Sequence, residues 1–209
     1  MAITNGYCTL NELKSALRIP TADTVDDSLL EMAVESASRA VDTYTNRYFY
    51  NAGTAIRYFV ADSSFYTVID DAITITEVAT ADDLDSNFST IWNSANYQKE
   101  PLNNISGGIS GWPTTALRAI DDKVFPTTGT YGWKGQEACV RVTGTWGWSA
   151  VPIAIKQGTI FTAARFFKRN ESPLGVLSSP DLGFIRVGTR IDPDVAMMID
   201  PYRTMRQYY

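Results

Sequence analysis

From Thr9 onward the apolar positions Leu10, Leu13 and Leu17 recur three and four residues apart, which is the spacing of one helical face. Thr9 and Glu12 supply the hydroxyl and carboxylate of a capping box, which satisfies backbone N–H groups left free at a helix start. Ile19-Pro20 stops that helix, because a residue before proline avoids helical torsions. A second helix is predicted from Thr24, with Asp26 and Asp27 in the first turn, where the helix dipole favours negative charge. Leu30, Ala33, Ala37, Val41 and Tyr44 carry its apolar face to about Asn46. The alanines and serines beside that face allow another helix to approach closely.

Residues 51–150 change period. Short β-forming runs, Ile56–Val60, Tyr66–Ile69, Ile73–Val78, Ile91–Trp92 and Ala138–Thr143, alternate with glycine-containing turns. This pattern predicts a small antiparallel sheet or barrel-like module. Helical spacing returns at Val151-Pro152 and runs through Ile155, Thr159, Phe166 and Phe167 to about Arg169. Gly158 weakens the middle of that helix, so close packing is expected there. A turn-rich break, Asn170 to Gly175, precedes a short strand at Phe184–Val187. Asp192-Pro193-Asp194 then opens a last short helix, stopped by Pro201. The fold class expected is α+β. Two N-terminal helices and a third after residue 150 form a small bundle, with a central antiparallel β-rich insertion and an extended C-terminal arm. The divisions expected are residues 1–50, 51–150, 151–170 and 171–209.

Composition narrows the chemistry. Of 209 residues none is histidine and two are cysteine, Cys8 and Cys139. Histidine-based triads and dyads are therefore excluded, as is a site built on several thiolates. The two cysteines allow at most one disulfide, and the sequence leaves open whether it forms. Residues 61–100 hold one basic and eight acidic side chains, and residues 151–209 hold eight basic and five acidic. A net charge of −5 disfavours wrapping a phosphate backbone, yet suits a surface past which nucleic acid slides. The first residues, MAITNGYCTL, lack the basic and apolar regions of a signal peptide, and no run approaches a membrane span. The expectation is a soluble protein made inside a cell, with no membrane partner.

Candidate chemistry is sparse. Asp70-Asp71, Asp82-Asp83 and Asp85 are acidic enough for a hard cation. Their spacing does not match a calcium loop, and solvated loop carboxylates are the simpler reading. Trp133, Trp146 and Trp148 could stack sugars or bases. As ordinary strand residues they are read first as β-core. Arg165, Lys168 and Arg169 are taken as a solvated helix end rather than a DNA contact. No catalytic, cofactor or metal residue is assigned.

Two blocks in order resemble one family. The first runs from Tyr7 to Phe49 and includes Asp26-Asp27-Ser28-Leu29-Leu30 and Tyr44-Thr45-Asn46-Arg47-Tyr48-Phe49. The second runs from Val151-Pro152 through Glu171-Ser172-Pro173-Leu174-Gly175-Val176 and Gly183-Phe184-Ile185-Arg186-Val187 to Asp200-Pro201-Tyr202-Arg203. This order is similar to the head-to-tail adaptor, or head–tail connector, proteins of tailed bacteriophages. The resemblance implies a structural virion protein at the head–tail junction that is not an enzyme and carries no cofactor. It implies a homo-oligomeric ring, usually a dodecamer, on the portal protein. A neck or tail completion protein would lie below, and double-stranded DNA would pass through without specific contact. It also implies a C-terminal arm reaching the portal, with Phe184, Arg186, Val187, Arg190, Tyr202 and Arg203 as candidate contacts. On the first block Arg39 and Arg47, with Asp26, Asp27, Glu31 and Glu35, are candidates for pairing between subunits. The competing reading is a carbohydrate- or surface-binding β-module of a tail or fibre, with the tryptophans as its platform.

Overall fold

A computed structural model describes residues 3–81, 87–127, 138–169 and 191–204, together with the backbone of 176–179 and 183–186. The chain divides into two compact units, Met1–Phe49 with Val151–Tyr209, and Tyr50–Ala150.

The first unit is helical. Helix α1 (Leu10–Leu17) opens on the expected capping box. The Glu12 N–H donates to Thr9 Oγ1 at 3.2 Å, and the Thr9 N–H donates to Glu12 Oε2 at 2.8 Å. It closes on Arg18 in the left-handed region, with φ 60°. Helix α2 (Asp27–Thr45) closes likewise on Asn46, a residue that tolerates this conformation. Helix α3 spans Ile153–Arg169. Leu30, Ala33, Val34 and Ala37 of α2 share one core with Cys8 and Leu13 and with Ala163 of α3, with Ile160, Phe166 and Phe167 packed against it. The N-terminal half of α2 therefore lies beside the C-terminal half of α3.

The end of the chain closes the other side of this unit. Helix α4 (Pro193–Ile199) starts at Asp192, whose carboxylate accepts from the Asp194 N–H at 3.0 Å. A 3₁₀ turn follows at Asp200–Tyr202. A Cβ on Gly158 would stand 3.0 Å from Ile199 Cγ2 and 3.3 Å from Val195 Cγ1, so α4 sits closely on α3 here, with room for little more than a methyl group. The Tyr44 hydroxyl donates to Asp200 at 2.6 Å, and the Thr204 N–H donates to the Thr45 carbonyl at 2.9 Å. These contacts hold the C-terminal end of α2 near α4 and the start of α3, so α2 and α3 run antiparallel. The last part of the stretch read as an arm is thus packed on its own unit, with Val195, Ile199 and Tyr202 buried. Its apolar residues find a partner within the chain.

The second unit is a six-stranded antiparallel sheet. Strands β1 (Asn51–Phe59), β2 (Tyr66–Thr80), β3 (Thr90–Trp92), β4 (Tyr97–Glu100), β7 (Thr114–Ala119) and β8 (Val140–Gly147) are ordered β1-β8-β2-β7-β4, with β3 also on β2. A separate small hairpin joins β5 (Ile105–Ser106) and β6 (Ile109–Ser110). Ile69, Val78, Leu117, Val140, Val142 and Trp146 lie in its core. Gly147 has φ 98°, and a Cβ there would overlap the Tyr50 carbonyl oxygen. No other residue type fits that position without moving the backbone. In a third sheet β9 (Val176–Ser179) pairs antiparallel with β10 (Gly183–Arg186).

One expectation is corrected here. Asp70 and Asp71 do not lie in a loop between two strands. They sit within the single strand β2, at the register shift between Val68 and Ala72. Asp70 accepts from Arg57 Nη1 at 2.7 Å, and Asp71 accepts from Trp148 Nε1 at 2.8 Å. With those partners both carboxylates can stay in the sheet. Asp82, Asp83 and Asp85 lie outside the described residues.

Candidate functional site

The described residues hold no group of three or more His, Cys, Asp or Glu that could take a metal ion. No described helix is long and apolar enough to cross a membrane. Cys8 and Cys139 are both buried and carry free thiols. Burial pushes the Cys8 thiol up to about 11, which keeps it protonated and unreactive at neutral pH. The features that bear on function are therefore surfaces and the contacts that shape them.

Three of the six charges expected to reach a neighbour, Arg39, Asp27 and Glu35, are used inside the helical unit. Arg39 Nε pairs with Asp42 at 2.9 Å and Nη1 with Glu35 at 3.5 Å, while Nη2 donates to the Asn5 carbonyl at 3.1 Å. Asp42 also accepts from the Tyr7 hydroxyl, whose oxygen in turn accepts from the Phe49 N–H at 2.9 Å. Burial raises the Asp42 carboxyl to about 6, against the downward pull of Tyr7 and Arg39. Burial and the bond to Asp42 also push the Tyr7 phenol upward. Glu35 accepts from the Thr4 N–H at 3.2 Å. Asp27 forms an ion pair with Lys14, a lysine only 1% exposed. The Lys14 ammonium also donates to the carbonyls of Asp23 at 2.7 Å and Thr21 at 3.4 Å. Glu12 receives Lys156 of α3 at 2.9 Å. Glu31 is half-buried on α2, Arg47 is half-buried just past its C-cap, and Asp26 is exposed at its N-cap position.

The candidate portal contacts divide. Phe184 and Arg186 fall in strand β10, where only the backbone is described, and Val187 and Arg190 lie outside the described residues. Tyr202 is buried, with its ring edge-on to Phe49 at 5.8 Å. Arg203 is exposed, with its guanidinium over the Tyr44 ring at 5.3 Å. Arg203 is thus the one candidate among the described side chains that faces solvent.

Trp146 is fully buried, donates to the Ala55 carbonyl at 2.8 Å, and packs on Phe59 and Arg57. Trp148 is buried edge-on to Trp112. Neither ring presents a stacking face, so two of the three rings of the competing platform are structural. Trp133 lies outside the described residues.

Sequence spacing did not single out the exposed apolar side chains. On the helical unit they include Val25 just before α2, Leu29 and Met32 on it, and Ile153 and Phe161 along α3. On the β unit they include Ile56, Tyr58, Phe65, Ile91 and Leu102. A helical-wheel reading of the side opposite the core would have found those on α2.

Residues 7–93 match a family model described as phage gp6-like head-tail connector protein. The match covers α1 and α2 and continues into the β unit as far as β3; it does not include the second block of the resemblance. No curated protein matches the chain. Two solved chains share its fold over its whole length and over 95% of their own, each at 17% identity. One is described as the neck of an empty GTA particle computed with C6 symmetry, with a TM-score of 0.57. The other comes from the virion of a native gene transfer agent (GTA) particle, with a TM-score of 0.54. The chain thus resembles the phage gp6-like head-tail connector family in sequence over residues 7–93, and is similar to these neck and virion chains in its α+β fold.

Proposed function

We propose that this chain is a structural virion protein, a head-to-tail adaptor at the junction of head and tail. The observation that carries this is the connector-family match over residues 7–93. The full-length likeness to a neck chain computed with C6 symmetry supports it. In this reading copies close into a dodecameric ring under a portal protein and above a neck or tail completion protein. Double-stranded DNA passes through the middle. Closed rings are built from one contact repeated by rotation, and many weak contacts then act together at the joint. The chain's net negative charge suits DNA that must slide without being held. Arg203 and the segment around β9 and β10 are the proposed approach to the portal. No catalytic role is assigned.

The test is immunogold electron microscopy on particles from the source culture, including particles that have lost their tails. Gold at the head–tail junction is expected. Gold on tail tips or fibres, or particles with no gold, overturns the reading.

A further inference from the structure

Helix α2 is apolar on two sides. Its inner side, Leu30, Ala33, Val34 and Ala37, fills the core. Its outer side carries Val25 just before the helix, then Leu29 and Met32, at 86%, 42% and 52% exposure. Leu29 and Met32, three residues apart, share one side of the helix, turned away from the core, and Val25 stands exposed at its start. A helix apolar on both sides is normally buried on both. On α3 the residues that face away from Ile155, Thr159 and Ala163 include Phe161 and Lys168, both exposed.

We propose that the outer stripe of α2 and the outer side of α3 are the two halves of one interface between copies of this chain. The proposal rests on the ring reading above and says which faces close the ring. Charge supports a second copy as the occupant. The α2 stripe begins beside the exposed Asp26, and the α3 face ends in the exposed Lys168 and Arg169. Because α2 and α3 are antiparallel within one copy, these acidic and basic ends lie at the same end of the unit. A rotation that keeps the helices along the ring axis sets the partner's α3 beside α2 with the same polarity. Phe161 of the partner subunit then faces the α2 stripe. Lys168 of the partner subunit comes to Asp26, and its aliphatic stem covers apolar surface. A two-fold contact centred on Leu29 would instead set the acidic residues against their own copies. A head-to-tail contact avoids that clash and is the type that generates rings.

The test uses the full chain with Met32→Cys and Phe161→Cys together, treated with a short thiol cross-linker. Both substitutions are at exposed sites and the native thiols are buried, so the fold and the background labelling should be unaffected. A ladder of covalent species beyond the dimer is expected, because each copy offers one thiol to each neighbour. Cross-linked dimers from Met32→Cys alone would indicate a two-fold contact and overturn the proposal. Oligomers in native mass spectrometry without a ladder would overturn these faces and leave the ring standing. The contact is weak between free copies, so the chain is tested at its highest soluble concentration; a chain with neither oligomers nor cross-linked species there would overturn the ring reading as well. Asp26→Lys should weaken association about two- to fivefold, the range of exposed pairs, and Lys168→Glu in the same chain should restore it. Leu29→Asp should weaken it by about tenfold or more. An unchanged association constant in Leu29→Asp would equally refute the α2 face.

Discussion

Replacing Lys14 by methionine isolates one buried cation. The side chain keeps its length and packing but loses its charge and its donors. Breaking a buried ion pair costs about 3–5 kcal/mol when the remaining charge stays buried. Here Asp27 is 28% exposed and can rehydrate, which removes most of that penalty. What remains is the loss of donors to the carbonyls of Asp23 and Thr21, at about 1 kcal/mol each. The expected cost is therefore about 2–3 kcal/mol. For a unit of this size that lowers the melting temperature by about 10 °C. The chain provides separate probes for its two units. All five tryptophans lie between residues 92 and 148, inside the β unit, while far-ultraviolet circular dichroism reports mainly the helices. Lys14→Met should move the dichroism transition and leave the fluorescence transition in place. It should also loosen the turn that presents Val25 and Asp26, and so weaken association between copies. An unmoved dichroism transition would show that water replaces the ammonium at little cost. Equal shifts by both probes would show that the two units unfold as one.

Trp146→Ala removes a fully buried indole and its bond to the Ala55 carbonyl. It should cost about 3–5 kcal/mol and move the fluorescence transition alone; an unmoved transition would return Trp146 to the role of a binding ring. Gly158→Leu should displace α4, because even a Cβ meets Ile199 and Val195. It should cost about 1–3 kcal/mol and speed proteolysis after Arg190. Gly158→Ala should stay near neutral, since helix propensity gained offsets the tight contact. Asp42 gives a pH signature. Its carboxyl is raised from an ordinary value of 3.8 to about 6, so its protonated form favours the folded state. That contribution is complete below about pH 4 and lost as pH rises through 6, a change of about 2–3 kcal/mol. Asp42→Asn should flatten melting temperature between pH 4 and 7. A wild-type curve that rises across that window would refute the assignment. Glu12 is shifted the opposite way, its carboxyl held low chiefly by Lys156.

The helices were legible because their signals are local. The Thr9–Glu12 box, the proline at position 20 and the spacing of Leu30, Ala33, Ala37 and Val41 each act within a turn or two. Gly158 was legible as a close approach, although not what approached it. The sheet was only partly legible, because strands are stabilised by partners distant in sequence. Strand β4, Tyr-Gln-Lys-Glu, and β7, Thr-Thr-Ala-Leu-Arg-Ala, have no distinctive alternation of their own and form through pairing with each other and with β2. Asp70-Asp71 read as a loop because the residues that hold them, Arg57 and Trp148, are respectively 13 and 77 positions away. The fold-back of Tyr202 onto Phe49 was hidden for the same reason. Of the candidate contacts, the charges on α2 were visible in the sequence, but the pairings that use them internally were not.

Those internal pairings bear on how such a joint assembles. Arg39, Glu35 and Asp27 are held by partners in their own chain, so drawing them into a contact with a neighbour would break one pair to form another, with little net gain in water. Charge at the remaining exposed ends can orient two copies and speed their meeting, but it contributes little affinity. Affinity must then come from apolar area, and the exposed apolar stripe of α2 is short. A contact of that size is weak between two free copies. In the proposed ring each copy would be held by the portal and by two neighbours at once, which would raise its effective concentration beside the next copy. Under that proposal a short stripe suits an adaptor that associates only weakly when free and closes completely on a portal. Lengthening the stripe, for example by Ser36→Leu on the same outer side of α2, should let rings form without a portal. Sedimentation of the free variant would show this, and a variant that stays as dispersed as the parent would place the ring contact elsewhere.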